Sequence, residues 1–117
     1  MAGKSQHKLF MTLKNHYPQF FLGKRVLEVG SLNINGTVRD CFKNCEYIGS
    51  DVAEGNDVDI AVPGQLLEYP SNYFDVVLST ECFEHNPFYI ETLVNMLRMM
   101  KKDGMIIITC ASLGRGE

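Results

Sequence analysis

The 117-residue chain contains no apolar run approaching the roughly 18 residues that a bilayer-spanning helix requires. Its N-terminus lacks a long apolar core followed by a small-residue cleavage site, so no secretory signal is read there and a cytoplasmic protein is expected. No Cys-x-x-Cys spacing occurs among Cys41, Cys45, Cys82 and Cys110, which read as buried free thiols; neither a metal site nor a disulfide framework is expected. Charge of one sign is scarce as well. A net charge of -3 and a pI near 5.6 exclude a nucleic-acid surface built on bulk electrostatics, and nucleic acid is not an expected partner. With no internal repeat, low-complexity tract or linker, residues 1–117 are expected to form one domain, and a single core of this size implies modest stability.

What is present centres on residues 25–51. Val26, Leu27 and Val29 form a short apolar run that stops at Gly30, and after Gly36 the spacing changes to Val38, Cys41, Phe42 and Cys45. This predicts a strand, a glycine-bearing turn and a helix running to about Asn44, capped by Asn35. A second strand from Tyr47 to Ser50 ends on Asp51, about twenty residues beyond Gly30. Nucleotide-binding βαβ units place there the carboxylate that takes ribose hydroxyls. Glu28 and Asp51 thus stand at the C-terminal ends of neighbouring strands, where open α/β sheets bind ligands, and a nucleoside-containing cofactor is expected.

The flanking segments complete the pattern. Leu9, Phe10, Leu13 and Tyr17 are spaced for one face of a helix over 5–17, ended by Pro18. Phe20, Phe21 and Leu22 then suit either packing on a sheet or a lid over a ligand. Val58, Ile60 and Val62 alternate as in a short strand, while Asp57 and Asp59 read as loop or strand-edge groups. Phe74, Val76, Val77 and Leu78 make a strand buried on both faces, as parallel sheets require, with Ser79, Thr80 and Glu81 at its end. Asn86-Pro87 signals a helix start, and Ile90, Leu93, Val94, Leu97 and Met100 follow at helical spacing, with Met96, Met99 and Met100 as core or interface filler. Asn86-Pro87-Phe88-Tyr89 also resembles the Asn-Pro-Pro-Tyr string of amino-group methylases, but it lies several residues past the strand end. Lys101 to Gly104 form a closing turn before a last apolar strand, Met105 to Thr109. The sum is an α/β chain with a doubly wound, Rossmann-like, mostly parallel sheet of about five strands and helices on both faces.

Val26-Leu27-Glu28-Val29-Gly30, the terminal Asp51, Phe74-Asp75-Val76-Val77 with Glu81 and Glu84-His85 after it, and Lys102-Asp103-Gly104 together resemble class I S-adenosylmethionine-dependent methyltransferases. The likeness is to the type 11 methyltransferase domain and spans residues 25–111, leaving residues 1–22 as an N-terminal helix. It implies S-adenosylmethionine as cofactor and methyl transfer to a small-molecule or sugar-like acceptor. The turn from Gly30 through Ser31 and Asn35 to Gly36 would pass under the methionine moiety, oriented by Glu28. Asp51, followed by Val52, would hold the ribose. Ser79, Thr80 and Glu81 would line the amino-acid moiety, and His85 would serve as general base or orienting group.

The chain departs from the family pattern in three places. Its turn carries two glycines with Asn33 and Asn35 between them. Pro63 and Gly64 stand where many relatives carry an acidic residue that reads adenine, so Gln65 or a backbone group would substitute. The family's last two strands do not follow the fifth, as in a truncated domain. This would expose the edge at Ile106 to Ile108, to be covered by the N-terminal helix or by a second copy in a homodimer. Two other functions fit the same residues: a non-catalytic cofactor-binding or scaffold subunit, and a nicotinamide-dependent oxidoreductase domain. The latter is weakened by the absence of Gly-x-Gly-x-x-Gly.

Overall fold

The computed structural model describes residues 4–34, 36–80 and 86–109. In chain order the elements are α1 (Lys4–His16), β1 (Arg25–Val29), β2 (Glu46–Ser50), β3 (Phe74–Thr80), α2 (Tyr89–Met99) and β4 (Met100–Thr109), with single 3-10 turns at Pro18–Phe20, Arg39–Cys41 and Gly64–Leu66. Strands pair in the order β2-β1-β3-β4, all parallel. The doubly wound α/β class is as expected. The short strand expected at Val58, Ile60 and Val62 is reduced to one parallel bridge, Ser50 to Ile60; the Gly49 carbonyl takes both the Asp59 and Ile60 N–H groups (2.8 and 3.1 Å) and the ladder goes no further.

Alternation along the strands sends side chains to two cores. On one face Val26, Val76, Leu78 and Ile107 pack with Phe10 of α1, Phe21, Cys41 and Phe42. On the other, Leu27, Val29 and Val77 pack with Met96 and Met99 of α2. Phe42 lies at the centre of the first core, stacked on Phe21 at 4.6 Å between ring centroids, tilted to Tyr47 at 5.4 Å and edge-on to Phe10 at 6.4 Å. Phe21 is therefore a packing residue, not part of a lid. Burial pushes the Cys41 thiol up to about 11, as suits a packed sulfur. Among the described residues no helix is long and apolar enough to cross a membrane.

Three local readings are corrected. The helix expected over 36–44 is a single 3-10 turn, Arg39–Cys41. Side chains compete for its backbone donors: Asn33 Oδ1 accepts from Gly36 N–H (2.9 Å) and Thr37 Oγ1 from Arg39 N–H (3.1 Å). The Arg39 guanidinium meanwhile reaches Asp59 at 2.6 Å and lies over the Tyr47 ring. The proposed cap, Asn35, lies outside the described residues.

The second correction concerns α2, whose buried residues are Thr92, Met96 and Met99, while Ile90, Val94 and Leu97 are about half exposed or more. Its rotation is set by Asn95, which donates to the Gly64 and Leu67 carbonyls (2.8 and 3.0 Å). Third, Lys101 to Gly104 are not a turn between helix and strand. β4 already pairs at Met100 with Phe74 and resumes at Met105 with Val76, so these residues form a bulge within it. Asp75 anchors that bulge, accepting from Lys101 Nζ (3.1 Å) and from the Arg25 backbone N–H (2.9 Å). Burial opposes ionisation of Asp75, but those two donors outweigh it and hold its carboxyl below the ordinary value.

Candidate cofactor site

β1 and β2 end side by side, and the chain leaving each is turned back over the other. Gly30 takes φ +82°, a left-handed conformation open to glycine at little cost, and its N–H donates to the Ser50 carbonyl at 2.7 Å. Ser31 N–H donates to the same oxygen at 2.9 Å. Asp51, directly after β2, then accepts from Leu32 N–H at 3.0 Å and from Ala53 N–H at 3.3 Å. One carboxylate thus fixes the turn after β1 to the turn after β2. With two oxygens and about four lone-pair positions, it keeps acceptor capacity for a ligand.

A cavity of about 440 Å³ opens at this point. It is lined by Val29 and Gly30 from the end of β1, Ser50, Asp51 and Val52 from the end of β2, Pro63 to Gln65, and Asn86 to Phe88 before α2. Its lining is mostly apolar with a few converging polar groups, the usual composition of a cofactor site. Thr92 joins the last two of these segments, its hydroxyl lying 3.1 Å from Asn86 Nδ2 and 3.3 Å from Gln65 Oε1. At Gly64 an added Cβ would stand 2.7 Å from Val29 Cγ1 and 2.9 Å from Thr92 Cγ2, so the close approach of this segment requires glycine. Ser50 Oγ is buried and has no hydrogen-bond partner among the described residues. An acceptor-rich carboxylate, a hydroxyl without a partner among the described residues and the Gln65 carboxamide beside apolar walls fit an adenosine-containing ligand.

The structure brings together Gly30, Asp51 and Val52 of the residues expected to bind a cofactor, and sets others apart. Glu28 is buried beneath the turn on the other face of β1, where it accepts from the Tyr47 hydroxyl at 2.7 Å, so it supports the site from the core. Ser31 is also buried, donating to the Asp57 carbonyl at 2.8 Å. Gly36 is held by Asn33, and Ser79 and Thr80 are buried at the end of β3, outside the cavity lining. Asn35, Glu81 and His85 lie outside the described residues. Asp57 and Asp59 serve the fold: Asp57 accepts from Asn33 Nδ2, and Asp59 accepts from Gly49 N–H and Arg39. Burial raises the cost of ionising Asp59, but the Gly49 N–H and Arg39 outweigh it and keep its carboxyl below the ordinary value. Asn86 and Phe88, read from sequence as a helix start in preference to an Asn-Pro-Pro-Tyr-like string, line the cavity; their position directly before a helix that follows a buried strand is the signal that marks them.

Burial pushes the Glu28 carboxyl up, against the opposing effect of the Tyr47 hydrogen bond. A raised folded-state value means that the native protein holds this proton longer than the unfolded chain does. Stability is therefore lost as pH rises from the ordinary carboxyl range through the folded value. Glu28→Gln, which keeps an oxygen for Tyr47, is expected to gain stability over the parent at neutral pH and none at acid pH, measured as urea midpoints across pH. Equal pH profiles for the two proteins would contradict it.

The family model described as a methyltransferase domain matches residues 27–108. Among solved structures, the chain is similar to the Burkholderia thailandensis 1,6-didemethyltoxoflavin-N1-methyltransferase with bound 1,6-didemethyltoxoflavin and S-adenosylhomocysteine, at 20% identity and a TM-score of 0.66. The likeness covers 85% of this chain and 49% of that one, so the chain spans about half of that enzyme's length. Among curated proteins no match to the chain is found. Parallel strands in the order β2-β1-β3-β4, a cavity at the ends of β1 and β2, and a family match over most of the sequence lead to one conclusion: the chain belongs to the methyltransferase-domain family, of the S-adenosylmethionine-dependent class.

Proposed function

We propose that the cavity binds S-adenosylmethionine and that the chain forms the cofactor-binding core of a methyltransferase acting on a small-molecule acceptor. The observation that carries this reading is Asp51, set beside Gly30 in one cavity with its carboxylate oriented by two backbone donors. Asp51 would take the ribose hydroxyls, Gln65 the adenine edge, and Gly30 would let the ligand approach the backbone. When bound, the cofactor supplies an electrophilic methyl group on a sulfonium. The protein's task is then mainly alignment of acceptor, methyl carbon and sulfur, with removal of a proton where the acceptor carries one. His85 is proposed for that proton, since imidazole titrates near neutrality. The small-molecule class of acceptor is supported by the similar enzyme, which holds 1,6-didemethyltoxoflavin.

Calorimetric titration with S-adenosylhomocysteine and with NAD tests the assignment. Saturable binding of the first and none of the second is expected; preference for NAD would overturn it. A second copy is proposed to cover the edge at Ile106 to Ile108, which lies on β4 at the margin of the sheet. Light scattering is expected to give a dimer, and a monomer at high concentration would contradict the pairing.

A further inference from the structure

On the face of the sheet carrying Phe10 and Phe42, α1 meets the 3-10 turn Arg39–Cys41 through four side chains that the cofactor site does not use. His7 and Met11 are four residues apart on α1 and so share one helix face. His7 Nε2 lies 3.1 Å from Asp40 Oδ1, and Cys41 Sγ lies 3.8 Å from Met11 Sδ. Donor atoms of His7, Asp40 and Cys41 all fall within 4.8 Å of one another. Cys41 is 1% exposed, whereas Met11 is 42% exposed and Asp40 faces solvent, so the cluster joins a covered sulfur to side chains at the surface.

We propose that His7, Asp40 and Cys41 form a zinc site that fastens α1 to the crossover between β1 and β2. Imidazole nitrogen, carboxylate oxygen and thiolate sulfur are the three donor types zinc takes in proteins. Tetrahedral zinc with its ordinary bond lengths sets such donors about 3.3 to 3.6 Å apart. The His7 to Asp40 spacing is already near that range, and the thiol, within 4.8 Å of both, would move closer on binding. A water would complete the shell. One thiolate and one carboxylate neutralise the dication, which suits a half-buried site. Uptake of the ion releases the Cys41 thiol proton to solvent, and the imidazole binds neutral with its proton on the other ring nitrogen. The sequence alone gives no hint of this site, because His7 and Cys41 are 34 residues apart and no paired-cysteine spacing marks it.

Cobalt(II) reports directly on such a site. Titration of the full chain with Co2+ is expected to give one equivalent of tetrahedral visible bands with a thiolate-to-cobalt charge-transfer band, both displaced by Zn2+. Cys41→Ser should abolish the charge-transfer band. His7→Gln, at a half-exposed helical position that leaves the fold intact, should weaken binding about tenfold or more. Absence of the band, its survival in Cys41→Ser, unchanged affinity in His7→Gln, or uptake of Cu+ with refusal of Co2+ and Zn2+ would each overturn the zinc assignment.

Discussion

Replacing Asp51 with alanine is expected to weaken S-adenosylhomocysteine binding by about 10- to 100-fold, the largest functional loss that a single change in this site should give. Hydrogen bonds to a charged group contribute about 1.5 to 3 kcal/mol, and each 1.4 kcal/mol is about tenfold in affinity. Asp51 has a second duty, since its oxygens also hold Leu32 N–H and Ala53 N–H. Loss of affinity in the alanine variant therefore combines missing ligand contacts with a loosened pair of turns. Asp51→Asn separates the two, because its carboxamide oxygen can still accept from one backbone donor. Calorimetry should place the asparagine variant between parent and alanine, with circular dichroism unchanged in all three. An alanine variant that binds as tightly as the parent would remove the ribose assignment.

Phe42→Ala is expected to cost about 3 to 5 kcal/mol of stability, against a total of about 5 to 15 kcal/mol for a domain of this kind. The ring is 7% exposed and touches three other aromatic rings from α1, the segment after it and β2. Its removal leaves a cavity where three elements meet, and Tyr47, which supports Glu28, loses its neighbour. Urea unfolding should show a much lower midpoint with little change in slope, whereas Phe42→Leu should lose markedly less. A loss below about 1 kcal/mol for the alanine variant would mean that this cluster is not the organising core.

These two residues also show what was legible in the sequence. β1 and β3 were readable because each is a short apolar run buried on both faces, a pattern only a central parallel strand satisfies within five to seven residues. Asp51 was readable because its distance from Gly30 is imposed by the strand-turn-strand geometry itself. The working face of α2 was not, since Ile90, Val94 and Leu97 are as apolar as the residues that are buried. Asn95, through two carbonyls on a segment some thirty residues earlier, decides the rotation. The crossover at 36–44 failed for a similar reason: its apolar spacing suits a helix, but Asn33, Thr37 and Arg39 spend their bonding capacity on turns and on Asp59. Glu28 was read as a group orienting the turn after β1, without the face of the sheet it occupies. Period-two alternation places it with Val26, facing the aromatic core and away from the cavity. Gln65 was named from its place after Pro63 and Gly64, but its contact through Thr92 with Asn86 on the far side of the cavity is long-range and was not readable.

The most direct measurement is a crystal structure of the chain at saturating S-adenosylhomocysteine. The ligand is expected in the cavity above Ser50, with both ribose hydroxyls within hydrogen-bond distance of the Asp51 carboxylate and the adenine edge beside Gln65. A ligand bound elsewhere, or one in the cavity whose ribose turns away from Asp51, would contradict the account.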